Sequence, residues 1–463
     1  MKEDLQAQRR TMMLDTPLHK LIPKMALPTI VAMLINSIYS LADTFFVSSL
    51  GTSATAAVGV NVSIDNIIMM AGSFLAVGAN SYIARLLGAK KEDEASSTLS
   101  TAFFCGCVFG LLVTVLGLVF TKNIVVFIGA VPSVVPYAME YARFILLASP
   151  FMVTSFILSH CLRSEGSPIF SMMGMGIGGI INIILDPIFI FALDLGVAGA
   201  AIATTISKII GFGILIFPYI TRRSVLKLSV KNVCFASDIV REICLMGAPS
   251  LLRIGFTVVG NIVMNNLAGA YSDSAIAAVS VVSRIIMFPV SAVLGFGQGF
   301  QPVAGYNWGA KRYDRVKKSF HFSGFVIFLG TVIISACLII FARPLILKFT
   351  EDDGALVEVG VLCLRARAAT LPLAAWIILV NFLYSAIGRP AGALLLGVTR
   401  EGAAFLPAVW LLNSFFGLNG LAISQATADF LSLSVGIPFA VHAVREIKRR
   451  DKEELPPDAN ISR

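Results

Sequence analysis

Charge is what this sequence has least of. Lysine, arginine, aspartate and glutamate make up 14% of its 463 residues, where a soluble globular chain carries about 25%. Its 36 basic and 27 acidic side chains are too few to coat a water-soluble protein of this length, so a soluble enzyme is excluded. The chain has only four histidines, and its seven cysteines (Cys105, Cys107, Cys161, Cys234, Cys244, Cys337 and Cys363) sit in or near apolar stretches. They lack the clustered His and Cys partners of a zinc site and the pattern of a disulfide framework, so packing is their expected role. The Gly-x-x-x-x-Gly-Lys-Ser/Thr pattern of a nucleotide-binding loop is missing, so direct ATP drive is not expected. The first twenty residues are polar and have no apolar core of their own, so no cleavable signal peptide is expected. No nucleic-acid-binding motif accompanies the net charge of +9, and no organic cofactor is called for.

Apolar residues fill the space that charge leaves. They reach 57% of the chain, with 33 phenylalanines and 38 glycines, above a soluble norm of about 45–50%. Spanning-length runs fall at about 25–47, 56–84, 98–121, 136–160, 169–192, 198–220, 243–269, 276–304, 319–343, 358–386, 391–413 and 420–443. They are continuous rather than alternating, which indicates helices and not barrel strands. The fold class is therefore an all-α polytopic membrane protein with twelve transmembrane helices. Most of the 36 basic residues fall on one side of these spans, while the opposite loops hold only Lys122, Arg343 and Lys348. By the positive-inside rule both termini are expected in the cytoplasm. The basic excess also suits contact with anionic membrane lipids.

The two halves repeat each other. Ala56–Val60 recurs as Ala277–Val281 and Gly88–Lys91 as Gly309–Arg312, both at an offset of 221 residues, and Pro28 falls on Pro249 at the same spacing. Pro150, Gly166 and Pro168 recur as Pro372, Gly388 and Pro390 at 222. This divides the chain into a cytoplasmic N-terminal segment (1–24), an N-lobe of six spans (25–220), a cytoplasmic linker (221–242), a C-lobe of six spans (243–443) and a cytoplasmic tail (444–463). Parallel repeats of six spans suggest two bundles facing a central cleft, with alternating access by rocking of one against the other.

Charge inside a span is costly and marks function by default. Asp43 lies in the first span and Asp186 in the fifth, each about five residues from its outer end. Tyr39 stands four residues before Asp43, and Asn182 four before Asp186, so each acid shares a helix face with a hydrogen-bonding partner. Thr204 in the sixth span falls in the same layer. At the 221-residue offset Asp43 meets Met264, and the second half has Phe405-Leu406-Pro407, at an offset of 220, where the first has Leu185-Asp186-Pro187, so the acids belong to one half alone. Two carboxylates close together in a medium of low polarity cannot both hold charge cheaply, which suits a proton carrier.

The other span charges are Asp65, Lys208, Arg253, Arg284, Arg365, Arg367, Arg400, Glu401 and Asp429. Structural ion pairs are their expected role, with Arg253, Arg284, Arg400 and Asp429 forming a candidate polar site in the C-lobe. His160 reads as an interfacial helix-end residue. Met69, Met70, Met172, Met173 and Met175 suit core packing, or an adaptable pocket. Gly174-Met175-Gly176-Ile177-Gly178-Gly179 suits close helix packing. Pro28 reads as a helix-start proline, or as a hinge if the helix begins earlier.

Ala26-Leu27-Pro28 followed by Leu41-Ala42-Asp43-Thr44, Leu162-Arg163-Ser164-Glu165-Gly166, Asn182–Pro187 and Gly305-Tyr306-Asn307-Trp308-Gly309-Ala310-Lys311 together resemble the multidrug and toxic compound extrusion (MATE) family over about residues 15–445. The resemblance implies a V-shaped antiporter of the inner (plasma) membrane, not an enzyme, that expels amphipathic, often cationic small molecules in exchange for H⁺ or Na⁺ and is expected as a monomer. In proton-coupled prokaryotic members the positions matching Tyr39, Asp43, Asn182, Asp186 and Thr204 form the N-lobe ion site, and the match of Pro28 bends the first span. The sodium-coupled branch carries acids in the seventh and tenth spans, where this chain has Arg253, Arg365 and Arg367. That difference favours protons and leaves sodium at the N-lobe acids open. A lipid-linked precursor flippase of the same exporter superfamily is the alternative function.

Overall fold

A computed structural model describes residues 2–348 and 354–454. Helices account for nearly all of them. In chain order they are α1 (Lys2–Asp15), α2 (Leu18–Ser48), α3 (Thr52–Gly88), α4 (Glu92–Val119), α5 (Thr121–Phe127), α6 (Val135–Ser164), α7 (Pro168–Pro187), α8 (Gly196–Ile220), α9 (Ser237–Gly269), α10 (Asp273–Gly309), α11 (Tyr313–Ile340), α12 (Ala342–Leu347), α13 (Gly354–Ala386), α14 (Pro390–Val398) and α15 (Phe405–Glu454). Among the described residues, eleven stretches are long and apolar enough to cross a membrane. The last of these runs from Pro390 to Glu454, 65 residues, or close to 100 Å at about 1.5 Å per residue. A bilayer core is only about 30 Å thick. The backbone breaks at Gly417 (φ 56, ψ −135), which divides this stretch into two spans and gives the twelve expected from the sequence.

The helices overrun the apolar windows. The first span begins at Leu18 rather than near residue 25, and α3 extends to 37 residues. Polar ends such as His19 and Lys24 continue the helix because a helix interior satisfies every backbone group whatever the side chain. Pro28 consequently lies inside α2, as does Pro23, so it is no helix-start residue.

The sequence repeat is a repeat of local geometry. Lys90 and Lys311 both take a left-handed conformation (φ 62 and 58) to close the turn after the second span of each half. Gly166 and Gly388 share φ 74 ahead of Pro168 and Pro390, which open the fifth spans. Each fifth span also carries a π-helical turn, but at a different depth. It follows 20 residues of α-helix in the first half (Ile188–Ala192) and nine in the second (Thr399–Ala403).

The halves meet along α2 with α10 and α3 with α9. Gly88 and Gly309 permit the closest approach. A Cβ on Gly309 would stand 1.9 Å from the Arg85 carbonyl oxygen, and one on Gly88 2.1 Å from that of Tyr306. Among the described residues the hydrogen bonds across the halves link Ser37 to Ser291 (2.8 Å), Ser81 to the Ser385 carbonyl, and Arg85 to Glu242 (2.6 Å). The chain ahead of α2 adds to this closure, since Asn307 and Arg315 of the second half donate to the carbonyls of Met13 (3.2 Å) and Thr16 (2.8 Å). All these contacts lie at the depth of Ser37 or nearer the basic face, so the V is closed on that side.

Candidate ion and ligand site in the N-lobe

Four helices of the first half, α2, α6, α7 and α8, surround a cavity of about 80 Å³. The glycine-rich stretch of α7 lets its neighbours come close. A Cβ on Gly179 would touch Ile35 at 3.0 Å and Tyr39 at 3.7 Å, one on Gly178 would touch the Ser207 carbonyl oxygen at 3.2 Å, and one on Gly211 of α8 would meet the Gly174 carbonyl oxygen at 2.8 Å. Small residues are what close helix packing in lipid requires. Their placement turns Tyr39, Asn182, Thr204, Ser207 and Lys208 towards one space.

Asn182 joins the fifth and sixth spans. Its Nδ2 donates to Asp186 Oδ1 at 3.1 Å and to Thr204 Oγ1 at 3.2 Å. Asp186 is fully buried, one residue before Pro187 and the π turn that follows it. Such turns occur often at functional sites. Asp186 Oδ2, Asn182 Oδ1, Asp43 Oδ1 and Asp65 Oδ1 are all buried without a protein partner. Asp43 lies within electrostatic range of Asp186, and Asp65 of Asp43.

The expected pairing of Tyr39 with Asp43 does not form, although Asn182 and Asp186 do pair. Lys208 reaches over from α8 instead. Its ammonium donates to the Tyr39 hydroxyl at 3.1 Å and lies 4.6 Å from the centre of the ring. Lys208 and Asp65 therefore form no direct structural ion pair among the described residues. His160, four residues from the end of α6, is 4% exposed, faces the cavity and stacks on Phe156. Met175 also lines the cavity, together with Met33 and Met152, which no sequence pattern singles out. Arg163 lies fully buried beneath it and donates to Ser159 (2.8 Å) and Ser171 (2.6 Å). A fixed spacing of four from Thr204 to Lys208 was the available signal for the lysine, since it puts both on one face of α8.

The second half handles its charges differently. Arg400, within the π turn of the fifth span, donates to Asp429 (2.8 Å) and to Glu401 (2.5 Å), and Thr370 donates to the other Asp429 oxygen (3.2 Å). Arg253 lies within electrostatic range of Arg400 and Glu401, whereas Arg284 is exposed. Arg367 donates to Ser283 at 3.2 Å. Among the described residues no group of three or more His, Cys, Asp or Glu side chains could hold a metal ion.

Known proteins share this architecture. The multidrug export protein MepA of Staphylococcus haemolyticus is 29% identical over 449 residues, covering 95% of this chain and 97% of its own length. MepA of Staphylococcus aureus strain NCTC 8325 is 30% identical over 446 residues, covering 95% and 97%. The solved structure of a multidrug resistance MATE family transporter in an outward-facing conformation superposes with a TM-score of 0.89 at 24% identity, over 94% of this chain and 98% of its own. A MATE protein in its bent conformation gives 0.88 at 24% identity, over 96% and 99%. The MatE family pattern matches residues 28–188 and 249–398, one block in each half. The chain is a multi-pass membrane protein, and it belongs to the MatE family of transporters.

Proposed function

We propose that the protein is a secondary active multidrug exporter that expels amphipathic small molecules, often cationic, in antiport with H⁺. It works as a monomer in the inner (plasma) membrane, with both termini in the cytoplasm and lipid around its apolar faces. The observation that carries this reading is an asymmetry in how the two lobes treat buried acids. In the N-lobe, Asp43 and Asp186 each keep a buried carboxylate oxygen with no protein partner. In the C-lobe, Asp429 has both oxygens engaged, by Arg400 and Thr370. An acid committed to an arginine has no use for a proton, whereas one short of donors takes it up readily.

The mechanism follows from that difference. Protons entering from the outer side neutralise Asp43 and Asp186, and Asn182, donating to Asp186 and Thr204, carries the change from α7 to α8. Bending of α2 at Pro28, where the ring removes one helix hydrogen bond, narrows the cavity and discharges the substrate. Loss of the protons to the cytoplasm resets the carrier. Closure of the halves on the basic face is what the outward-open stage of this cycle requires. Purified protein in vesicles tests the coupling. Efflux of a fluorescent amphiphile should follow an imposed pH gradient without sodium, and should fall by about tenfold or more in Asp43→Asn and Asp186→Asn. Full pH-driven efflux in both variants, or efflux driven by a sodium gradient alone, would overturn proton coupling.

A further inference from the structure

Lys208 stands in the middle of α8, on the wall of the N-lobe cavity, and the ion-coupling mechanism does not use it. A lysine ammonium has three donors. One is given to the Tyr39 hydroxyl, and the Tyr39 ring shields one side of the charge. The ammonium forms no ion pair among the described residues, although Asp43 and Asp65 lie within electrostatic range and each has a buried oxygen lacking a partner. A counter-ion whose purpose was to neutralise those acids would be seated on them. Lys208 instead faces the cavity, where no Asp, Glu, Arg or second Lys joins it in the lining.

The floor of the cavity carries the same sign. Ser159 lines it and accepts a hydrogen bond from Arg163, whose Nε and Nη2 are buried and unpartnered. A second cation thus stands one hydroxyl away from the cavity. The remaining wall is soft and apolar, with Met33, Met152, Phe156 and Leu215, and methionine adapts to varied shapes. At the 221-residue offset Lys208 falls on Asp429, which Arg400 occupies, so the feature belongs to the N-lobe only.

From this geometry we infer that the N-lobe cavity selects amphiphiles bearing a carboxylate or similar anionic group, and that Lys208 is the residue that recognises it. The inference rests on the exporter reading but replaces its often cationic substrates with ones that carry an acid group: a molecule with an apolar body places that group on the two free ammonium donors. A cation lacking an acid group meets like charge at the same place.

Tetramethylrhodamine, with a free carboxylate, and its methyl ester, a cation of the same skeleton, are a matched pair of probes. Fluorescence anisotropy with the purified full-length protein in neutral detergent should give tighter binding of the acid by about tenfold or more, as expected of one charge-assisted hydrogen bond. Lys208→Met should abolish the preference and Lys208→Arg should keep it. Lys208→Gln, which retains a donor without charge, should also lose it and serves if the methionine variant does not fold. Equal binding of the two dyes by the wild type, a preference for the ester, or an undiminished preference for the acid in the methionine or glutamine variant would overturn the inference. Export of the ester in vesicles under a pH gradient separates the two readings. Export without any preference for the acid removes only the role of Lys208, whereas selective binding without export of either dye removes the exporter reading and leaves the site.

Discussion

Buried charges in this protein divide into those with partners and those without, and individual substitutions separate the two kinds. Asp429 and Arg400 have side chains only 5% and 14% exposed and are joined at 2.8 Å. Removing one member of such a pair strands the other. Arg400→Met should lower stability by about 3–5 kcal/mol, and Asp429→Leu made together with it should recover most of the loss. Thermal unfolding in detergent reads both, and a mild single variant with no recovery in the double would show that the pair has no structural role. The acids of the N-lobe are the contrasting kind. Their coincidence of depth and of half was legible in the sequence, and Asn182 with Asp186 followed from a spacing of four. The reach of Lys208 to Tyr39 was not, because it depends on how α8 is rotated against α2, which a pattern within one helix does not encode.

Helices and turns show where sequence periodicity is a strong guide and where it fails. Twelve apolar runs mark twelve spans because each must bury its own backbone hydrogen bonds in lipid. Their ends are not marked by hydropathy, as the start of α2 at Leu18 illustrates. The two π turns left no signal either, since an extra residue in a helix alters geometry without changing composition. The turn after α6 is a further case in which tertiary contacts decide. Glu165, just beyond the spans, accepts hydrogen bonds from Tyr219 (2.8 Å), Ser224 and the Val225 amide (2.9 Å), which pins the start of the linker to the N-lobe.

Burial raises the Glu165 carboxyl above its ordinary value, and these donors only partly oppose it. The folded state therefore holds this proton more readily than the unfolded chain does. Its contribution to stability is full below the unfolded value and is lost as pH rises through the folded one. The wild type should consequently gain thermal stability over Glu165→Gln as the medium is acidified towards the unfolded value, and a difference that is flat with pH would contradict this. At the opposite contact, Gly309→Val puts side-chain atoms against the Arg85 carbonyl oxygen, which would stand only 1.9 Å from the new Cβ. It should force the basic face open, which reactivity of a cysteine placed at Ser81 with a bulky thiol reagent from that face would register as an increase of about tenfold. Unchanged reactivity would mean that the closure does not depend on this approach.

Across the whole molecule, a duplicated fold has been loaded unequally. The repeat was plain in the sequence, down to Lys90 with Lys311 and Gly166 with Gly388, because shared turns need shared residues. Function departs from the repeat. Asp43 has Met264 at its counterpart position, and Lys208 has Asp429, so one lobe keeps buried acid oxygens without a protein partner and turns a cation to a cavity, while the other ties its charges to each other.

Substrate-evoked proton movement tests this division of labour most directly. Vesicles with an acidic lumen, containing the protein and a pH-reporting dye, receive an amphiphilic substrate from outside. Protons should leave as the substrate enters, and the lumen should turn alkaline for the wild type and for the Arg400→Met, Asp429→Leu double variant, but about tenfold more slowly or not at all for Asp43→Asn and Asp186→Asn. Undiminished proton release in both aspartate variants, or its loss only when the C-lobe pair is removed, would contradict the assignment of coupling to the N-lobe.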